Sequence, residues 1–145
     1  MSNKTFYFLS KNRLLEKYSQ GTSIKGFTMN DLKTLKNAKL LKDLSKIKGK
    51  LNINLLMYAA AEDNPQIAQW LIDNTKIDIN EGNQYGRTAL MYGASYNSLD
   101  TIKVLVKNKA NLDAKDLSGA NILFFAVGNN SIDVLNYLYE KGMDL

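Results

Sequence analysis

Apolar residues form short blocks in the last two thirds of the chain, and the same pattern returns at a nearly constant distance. When residues 83–115 are shifted forward by 33 positions, Leu105 falls on Leu138, and a backward shift of 34 positions places it on Leu71. Gly86, Leu90, Ser98 and Asp100 also fall on identical residues in the forward shift. A period of about 33 residues predicts a solenoid, in which each unit buries its apolar side against its neighbours.

Each unit contains two apolar blocks, and each block follows a residue that commonly begins a helix. The first helices are predicted to start after Asn54, Thr88 and Asn121, and the second helices after Asn64, Ser98 and Ser131. Such side chains accept hydrogen bonds from the free amides of a first helical turn. Asp100 and Asp133 complement the positive end of the helix dipole. We therefore predict two short antiparallel helices in every unit.

The second helices are too apolar to have one wet face, which indicates that each is packed between neighbours. They are predicted to end at Asn74, Asn108 and Lys141-Gly142, where a residue that tolerates a positive φ stops the helix. Short extended arms follow and lead to tight turns at Gly86 and Gly119.

Aromatic residues recur at one position of the unit, as Tyr58, Tyr92 and Phe125. They could form a strip that contacts a ligand, but their position in the unit points inward and favours core packing. The single tryptophan, Trp70, lies in a buried helix pattern and is predicted to belong to the core as well.

Residues 1–51 do not show the repeat clearly, although two short helices with a bend near 37–39 fit their apolar spacing. A helix pair ahead of a stack is where an N-terminal capping unit belongs. We interpret this stretch as a basic helical capping region, or as a degenerate first repeat. Three repeats then follow in one continuous domain, at about 52–82, 83–115 and 116–145.

The repeated residues match a known pattern. The segment Gly86-Arg87-Thr88-Ala89-Leu90, together with Ala94, Leu105 and Ala110-Asn111-Leu112-Asp113, resembles the ankyrin repeat. The usual unit of that family runs Gly-x-Thr-Pro-Leu-His, two alanines, a Leu-Leu pair, then Gly-Ala-Asp-Val-Asn. The resemblance covers roughly residues 52–145, and it implies an all-α, ankyrin-type solenoid of helix-turn-helix repeats with short extended turn tips.

The chain departs from the family at two positions of the first helix. The usual proline is replaced by Leu55, Ala89 and Ile122, and the usual histidine by Met57, Met91 and Phe124. Apolar packing is therefore expected where the family's histidine makes hydrogen bonds between neighbouring units.

The resemblance implies a non-enzymatic scaffold that binds a partner protein through its turn tips and the exposed surface of its first helices. Mapped onto this chain, the candidate protein-binding residues are Glu62, Gln84, Tyr85, Arg87, Ser95, Tyr96, Leu117, Ser118 and Asn129. Tyr85, Arg87 and Tyr96 are expected to lie close together, and Tyr and Arg are enriched at binding hot spots. The alternative is that they are ordinary surface residues.

The charge is divided unevenly along the chain. Residues 1–50 carry twelve Lys and Arg against three acids, a net charge of +9, whereas residues 51–145 carry seven bases against eleven acids, a net charge of −4. The lysines of the first part could bind nucleic acid or an anionic membrane surface by an electrostatic mode. Arginine-rich and aromatic signals for such binding are missing, so a solvated lysine-rich face is the favoured interpretation.

Histidine and cysteine are both absent. The usual zinc ligands and the common nucleophile pairs are therefore missing, and we expect no metal, no cofactor and no enzyme activity. Asp100 and Asp133 could be imagined as a catalytic pair, but their place in the first turn of a helix is sufficient to explain them.

The unit at the end of the sequence is rich in large apolar residues, including Phe124, Val127 and Tyr139. A terminal unit of a solenoid needs a polar outer face. We therefore expect this face to stay partly apolar and to be covered by further repeats or by self-association. The sequence contains no run long and apolar enough for a transmembrane helix or a signal peptide, and a cytoplasmic location is expected unless a targeting segment was removed.

Overall fold

The computed structural model describes residues 48–144 and, ahead of them, residues 29, 30, 33, 45 and 46. Between residues 48 and 144 the chain forms a single 3₁₀ turn at Lys50–Asn52 and then six α-helices. The helices are α1 (Leu55–Ala61), α2 (Pro65–Asn74), α3 (Ala89–Ser95), α4 (Leu99–Lys107), α5 (Ile122–Gly128) and α6 (Ile132–Glu140). No strand is present in these ranges, where one isolated bridge joins Lys48 to Asn54 just ahead of α1. The predicted all-α fold is confirmed.

The helices form three pairs that stack side by side. The first helices α1, α3 and α5 pack against one another in sequence, and the second helices α2, α4 and α6 do the same. Each first helix also packs against the second helix of its own pair, so the core lies between the two layers. This arrangement places the turn tips and the outer surface of the first helices on one side of the stack.

One leucine of each second helix occupies the centre of the core. Leu71, Leu105 and Leu138, which the repeat period aligns, are all fully buried. Trp70 is buried, as predicted. Phe125 is buried too, whereas Tyr58 and Tyr92 are half-buried and pack against the core. The prediction of core packing is therefore confirmed for Phe125 and confirmed in part for Tyr58 and Tyr92, which contact the core without being fully buried.

The residues that replace the family's histidine differ in burial. Met57 and Met91 are fully buried, which agrees with the expected apolar packing between units. Phe124 is exposed instead, because within residues 48–144 no helix pair follows α5 and α6 to cover it.

Three of the six predicted helix-starting residues make the expected hydrogen bond. Asn54, Asn64 and Asn121 accept from the amides of Met57, Ile67 and Phe124, at N–O distances of 2.9, 3.1 and 3.2 Å. Thr88, Ser98 and Ser131 occupy the predicted positions but make no side-chain bond to their own helix. The Thr88 and Ser98 hydroxyls are buried without a partner among the described residues.

The amides left uncapped by Ser98 and Ser131 are bound by the preceding repeat. Asp63 Oδ1 accepts from the Thr101 amide at 3.1 Å and from the Thr101 hydroxyl at 2.9 Å. Asn97 Oδ1 accepts from the Val134 amide at 3.2 Å, one repeat later. Asp63 and Asn97 both have a positive φ, at 49° and 53°. The start of each of these second helices is therefore stabilised between repeats rather than within one.

The predicted ends of the second helices need two corrections. Asn74 lies inside α2, and Thr75 follows in an extended conformation with a φ of −129°. The Thr75 hydroxyl donates to the Leu71 carbonyl at 2.6 Å. A carbonyl of the last helical turn therefore has a hydrogen bond although no residue of positive φ ends the helix. After α4 the positive φ belongs to Lys109 instead of Asn108. Gly142 takes a positive φ after α6, as expected.

The tight turns lie where the glycines predicted them. Gly86 and Gly119 have φ values of +74° and +84°, a region that favours glycine. A Cβ atom on Gly86 would also stand 3.1 Å from the Leu117 amide nitrogen of the next repeat. The N-terminal capping region predicted for residues 1–51 lies largely outside the described residues and stays a prediction. Of its few described residues, 29, 30 and 33 are helical, and Met29 packs against the core.

Candidate protein-binding site

One acidic or amide side chain organises each turn tip. Asn83 Oδ1 accepts from the amides of Tyr85 and Arg87 at 2.9 and 3.0 Å. Asp116 stands 33 residues later and accepts from the amides of Ser118 and Ala120, both at 2.9 Å. These bonds hold the tip backbone in one conformation, so the side chains that project from it are fixed relative to the helices.

The Arg87 side chain joins two neighbouring repeats. Its Nε atom stands 3.5 Å from Asp116 Oδ2 of the next tip. The guanidinium carbon lies 5.5 Å from the ring centroid of Tyr85 and 5.1 Å from that of Phe125. Both distances permit cation–π attraction. Because the side chain is still 45% exposed, it can contact a bound molecule without losing these neighbours.

A groove runs between α3 and α5 beside Arg87. It has a volume of about 470 Å³ and is lined by Arg87, Met91, Tyr92, Ser95, Tyr96, Phe124, Phe125, Gly128 and Asn129. We call this set the aromatic groove, since four of its nine residues are aromatic. Two of the aromatic rings, Phe124 and Phe125, meet edge to face with centroids 5.6 Å apart. Arg87 is the single charged residue of the groove.

Four of the nine residues proposed from the sequence line the aromatic groove, namely Arg87, Ser95, Tyr96 and Asn129. Tyr85 lies beside it and contacts Arg87. Leu117 and Ser118 are exposed on the next tip, where the Leu117 amide donates to the Tyr85 carbonyl. Gln84 is exposed on the tip before α3, and Glu62 is half-buried at the end of α1, away from the groove. The structure therefore brings part of the predicted set together and leaves Gln84 and Glu62 outside.

Sequence reasoning missed the groove residues that it assigned to packing, which are Met91, Tyr92, Phe124 and Phe125. It also missed Asn83 and Asp116, whose bonds hold the tips. A signal for this pair is present, because each is followed by a glycine three residues later at the same point of the period. Asn83 additionally donates from Nδ2 to the Tyr92 hydroxyl at 2.9 Å, which fixes one wall of the groove.

The surroundings of two groups in this region change their pKa. The Ser118 hydroxyl, which donates to the carboxylate, lowers the pKa of Asp116 below its ordinary value, and the amides of Ala120 and Ser118 and the Arg87 guanidinium act in the same direction. Burial raises the pKa of the Tyr92 phenol. Near neutral pH the Asp116 carboxyl is therefore anionic and the Tyr92 phenol is neutral.

The free energy of unfolding of the Asp116→Asn variant is expected to fall less between pH 7 and pH 3 than that of the natural chain. A carboxyl whose pKa is lower in the folded state stabilises that state above its unfolded pKa, near 4, and loses this contribution as the pH falls through the folded pKa. Urea unfolding at pH 7 and at pH 3 measures this difference in the free energy of unfolding for both proteins. Asn83 holds the preceding tip with the same geometry, so the turn should survive. An equal decrease in both proteins would contradict this role of Asp116.

Comparison with known proteins assigns the repeat to a family. A family model described as ankyrin repeats, three copies, matches the chain over two overlapping ranges, residues 30–116 and 56–145. The chain belongs to the ankyrin-repeat family. The resemblance drawn from the residues of the second unit is thereby confirmed, and the matched range begins ahead of the first described helix pair.

Two relatives of this ankyrin-repeat chain come from Rickettsia felis, and both carry the description of ankyrin repeat protein. One is 34% identical over 88 residues, which cover 61% of this chain and 28% of the relative. The other is 28% identical over 100 residues, which cover 68% of this chain and 26% of the relative. The chain thus spans little more than a quarter of the length of these relatives.

Ankyrin repeats are generally protein–protein interaction modules, and the family is typically non-enzymatic. Among the described residues, no group of three or more Asp and Glu side chains could hold a metal ion. A search of the same residues finds no helix that is long and apolar enough to cross a membrane.

Proposed function

We propose that this ankyrin-repeat chain is a non-enzymatic protein-binding module whose partner lies along the aromatic groove. The observation that supports this most directly is the position of Arg87, which two aromatic rings and the Asp116 carboxylate hold at the edge of an open, aromatic-lined groove. Fixed aromatic and arginine side chains lose little freedom on binding, so they contribute strongly to affinity.

The groove chemistry favours a partner segment with one large apolar side chain and an acidic group nearby. Tyr96 is 63% exposed and Phe124 is 66% exposed, so both offer apolar surface that a partner can remove from water. Arg87 supplies the positive charge, and its planar guanidinium suits a carboxylate. Ser95 and Asn129 add polar groups at the rim.

The charge-driven alternative rests on lysines that lie mostly outside the described residues. Of the described ones, Lys48 forms an ion pair with Glu81, whose carboxylate also accepts from Asn54 Nδ2 at 2.9 Å. This lysine therefore contributes to the start of the first repeat and is not a free phosphate contact. Binding to nucleic acid or anionic membranes stays a hypothesis for residues 1–50.

A displayed library of 12-residue peptides, selected against the natural chain, tests the proposal. Selected peptides are expected to share an apolar residue and an acidic residue a short distance apart. The Tyr96→Ala variant should weaken their binding about tenfold, as for a central aromatic contact. The Arg87→Ala variant should weaken binding by a similar factor. Fluorescence polarisation of labelled peptides measures both.

The matched control is Tyr139→Ala. Tyr139 is 68% exposed, close to the value for Tyr96, but it lies on α6 and not in the groove. Equal weakening by the Tyr96 and Tyr139 variants would contradict the proposed site. Binding that survives both groove variants and disappears in 0.5 M salt would favour the charge-driven alternative, since exposed ion pairs are screened under that condition.

A further inference from the structure

Large apolar side chains are exposed on the side of the third helix pair that faces away from the stack. Phe124 and Val127 lie one helical turn apart on α5, and Asn130 follows at the start of the loop to α6. We call these three residues the open face. The prediction that this face stays partly apolar is confirmed by the exposure of Phe124 and Val127.

The repeat period shows what covers the same positions elsewhere. Phe124 aligns with Met91 and Val127 aligns with Ala94, and the earlier residues are 1% and 0% exposed against 66% and 63% for the later ones. Met91 and Ala94 lie on α3, which packs against α5 of the following repeat. The open face is therefore the surface that each earlier repeat uses to bind the next one.

A polar side chain accompanies the apolar residues at each of these junctions. Asp63, Asn97 and Asn130 have nearly the same positive φ, at 49°, 53° and 54°. The first two accept from the amide at the third position of the next second helix, in Thr101 and Val134. Asn130 holds an equivalent carboxamide, but in the described part of the chain it binds no such amide.

The described part of a second copy of this chain does not offer what Asn130 requires. In the described part of the chain, the third-position amide of every second helix is already bound. Asn64 accepts from Ile67, Asp63 from Thr101, and Asn97 from Val134. A molecule that donates a hydrogen bond to Asn130 must contain a helix with a first-turn amide that its own capping residue leaves free. The helices that begin after Ser98 and Ser131 are of this kind, because neither serine side chain caps its own helix.

We propose that the open face binds a further helix pair of the ankyrin type, with Asn130 capping its second helix. Phe124 and Val127 pack against the first helix of that pair, in the positions that Met91 and Ala94 occupy on α3, which packs against α5. The inference rests on continuity with the two internal junctions. The open face shares Phe124 with the aromatic groove, so the inference is tested by protection of the added helices and not by peptide binding.

An extended chain tests this proposal. Leu145 stands 33 residues after Leu112, so appending a second copy of residues 113–144 directly after Leu145 keeps the repeat period. The appended pair carries a second helix of the Ser131 type, which its own residues do not cap. Hydrogen exchange is expected to show protected amides in both appended helices.

The role of Asn130 is tested by Asn130→Gly, because glycine keeps the positive φ and removes the carboxamide. Loss of one cap bond should raise the opening equilibrium constant of the appended pair about fivefold. The same substitution in the unextended chain is the control, and there the exchange of α5 and α6 should change much less. Equal effects in both chains would contradict the capping role.

A further variant of the extended chain serves as a control if the appended helix pair does not fold. Phe124→Met with Val127→Ala reproduces the junction that the copied repeat already uses. Protection only in this variant, or in neither extended chain, would overturn the proposal. Analytical sedimentation of the unextended chain measures whether it forms a dimer. A dimer that Val127→Asp dissociates would identify a second copy as the occupant and would overturn the proposal too.

Discussion

Replacing Leu105 by alanine is expected to lower the free energy of unfolding by about 2–5 kcal/mol. Leu105 is fully buried in α4, which packs against α2, α3 and α6. Its truncation leaves a cavity between helices from all three repeats, and close-packed neighbours refill such a cavity only in part. Urea unfolding followed by the fluorescence of Trp70, the single tryptophan, measures the change.

The control for this prediction is the same chemical change on the surface. Leu117 is 80% exposed on a turn tip, so Leu117→Ala should change the free energy of unfolding by less than about 0.5 kcal/mol. If both leucine variants lost the same stability, the central position of Leu105 in the core would be wrong.

The Asp63→Gly variant is expected to lower the free energy of unfolding by about 1–3 kcal/mol. Asp63 accepts from both the amide and the hydroxyl of Thr101, which is fully buried in the next repeat. Removal of the carboxylate leaves two donors without their acceptor. Glycine accommodates the φ of +49°, so backbone strain does not contribute to the loss. Urea unfolding again measures the effect.

Asparagine is the matched control at this position, because Asn97 makes the equivalent bond to Val134 at the next junction. Asp63→Asn should therefore keep most of the stability that Asp63→Gly loses. If both variants lost a similar free energy of unfolding, the charge of Asp63 or the loop conformation would be responsible, and the hydrogen bonds from Asp63 to Thr101 would not.

The period of the chain was sufficient to predict the stack and its central leucines. Each unit must bury one side of both helices, so the same apolar positions recur, as at Leu71, Leu105 and Leu138. The glycines of the tips were equally informative, because a positive φ restricts the choice of residue at Gly86 and Gly119. Backbone conformation and burial restrict the residue type at a single position, so both can be predicted from the sequence.

The candidate site was predictable only in part. Tyr96 and Arg87 could be chosen from their place in the unit, but the aromatic groove also uses Phe124 and Phe125, whose spacing indicates packing. The difference between a core residue and a groove residue depends on whether another helix lies over it. Among the described residues nothing covers the groove side of Phe124, so the same apolar pattern produces an exposed surface there.

The sequence by itself determined the family, the helix pairs and the tip glycines, because these depend on local conformation and on a repeated pattern of burial. The tertiary structure decided how the repeats are joined. It replaced the expected caps at Ser98 and Ser131 by acceptors from the preceding repeat, and these bonds connect residues 37 or 38 positions apart. It also explains Gly93 inside α3, where a Cβ atom would stand 2.8 Å from Ile102 Cγ1 of α4. Such contacts depend on the distance between packed helices, which no single segment of the sequence specifies.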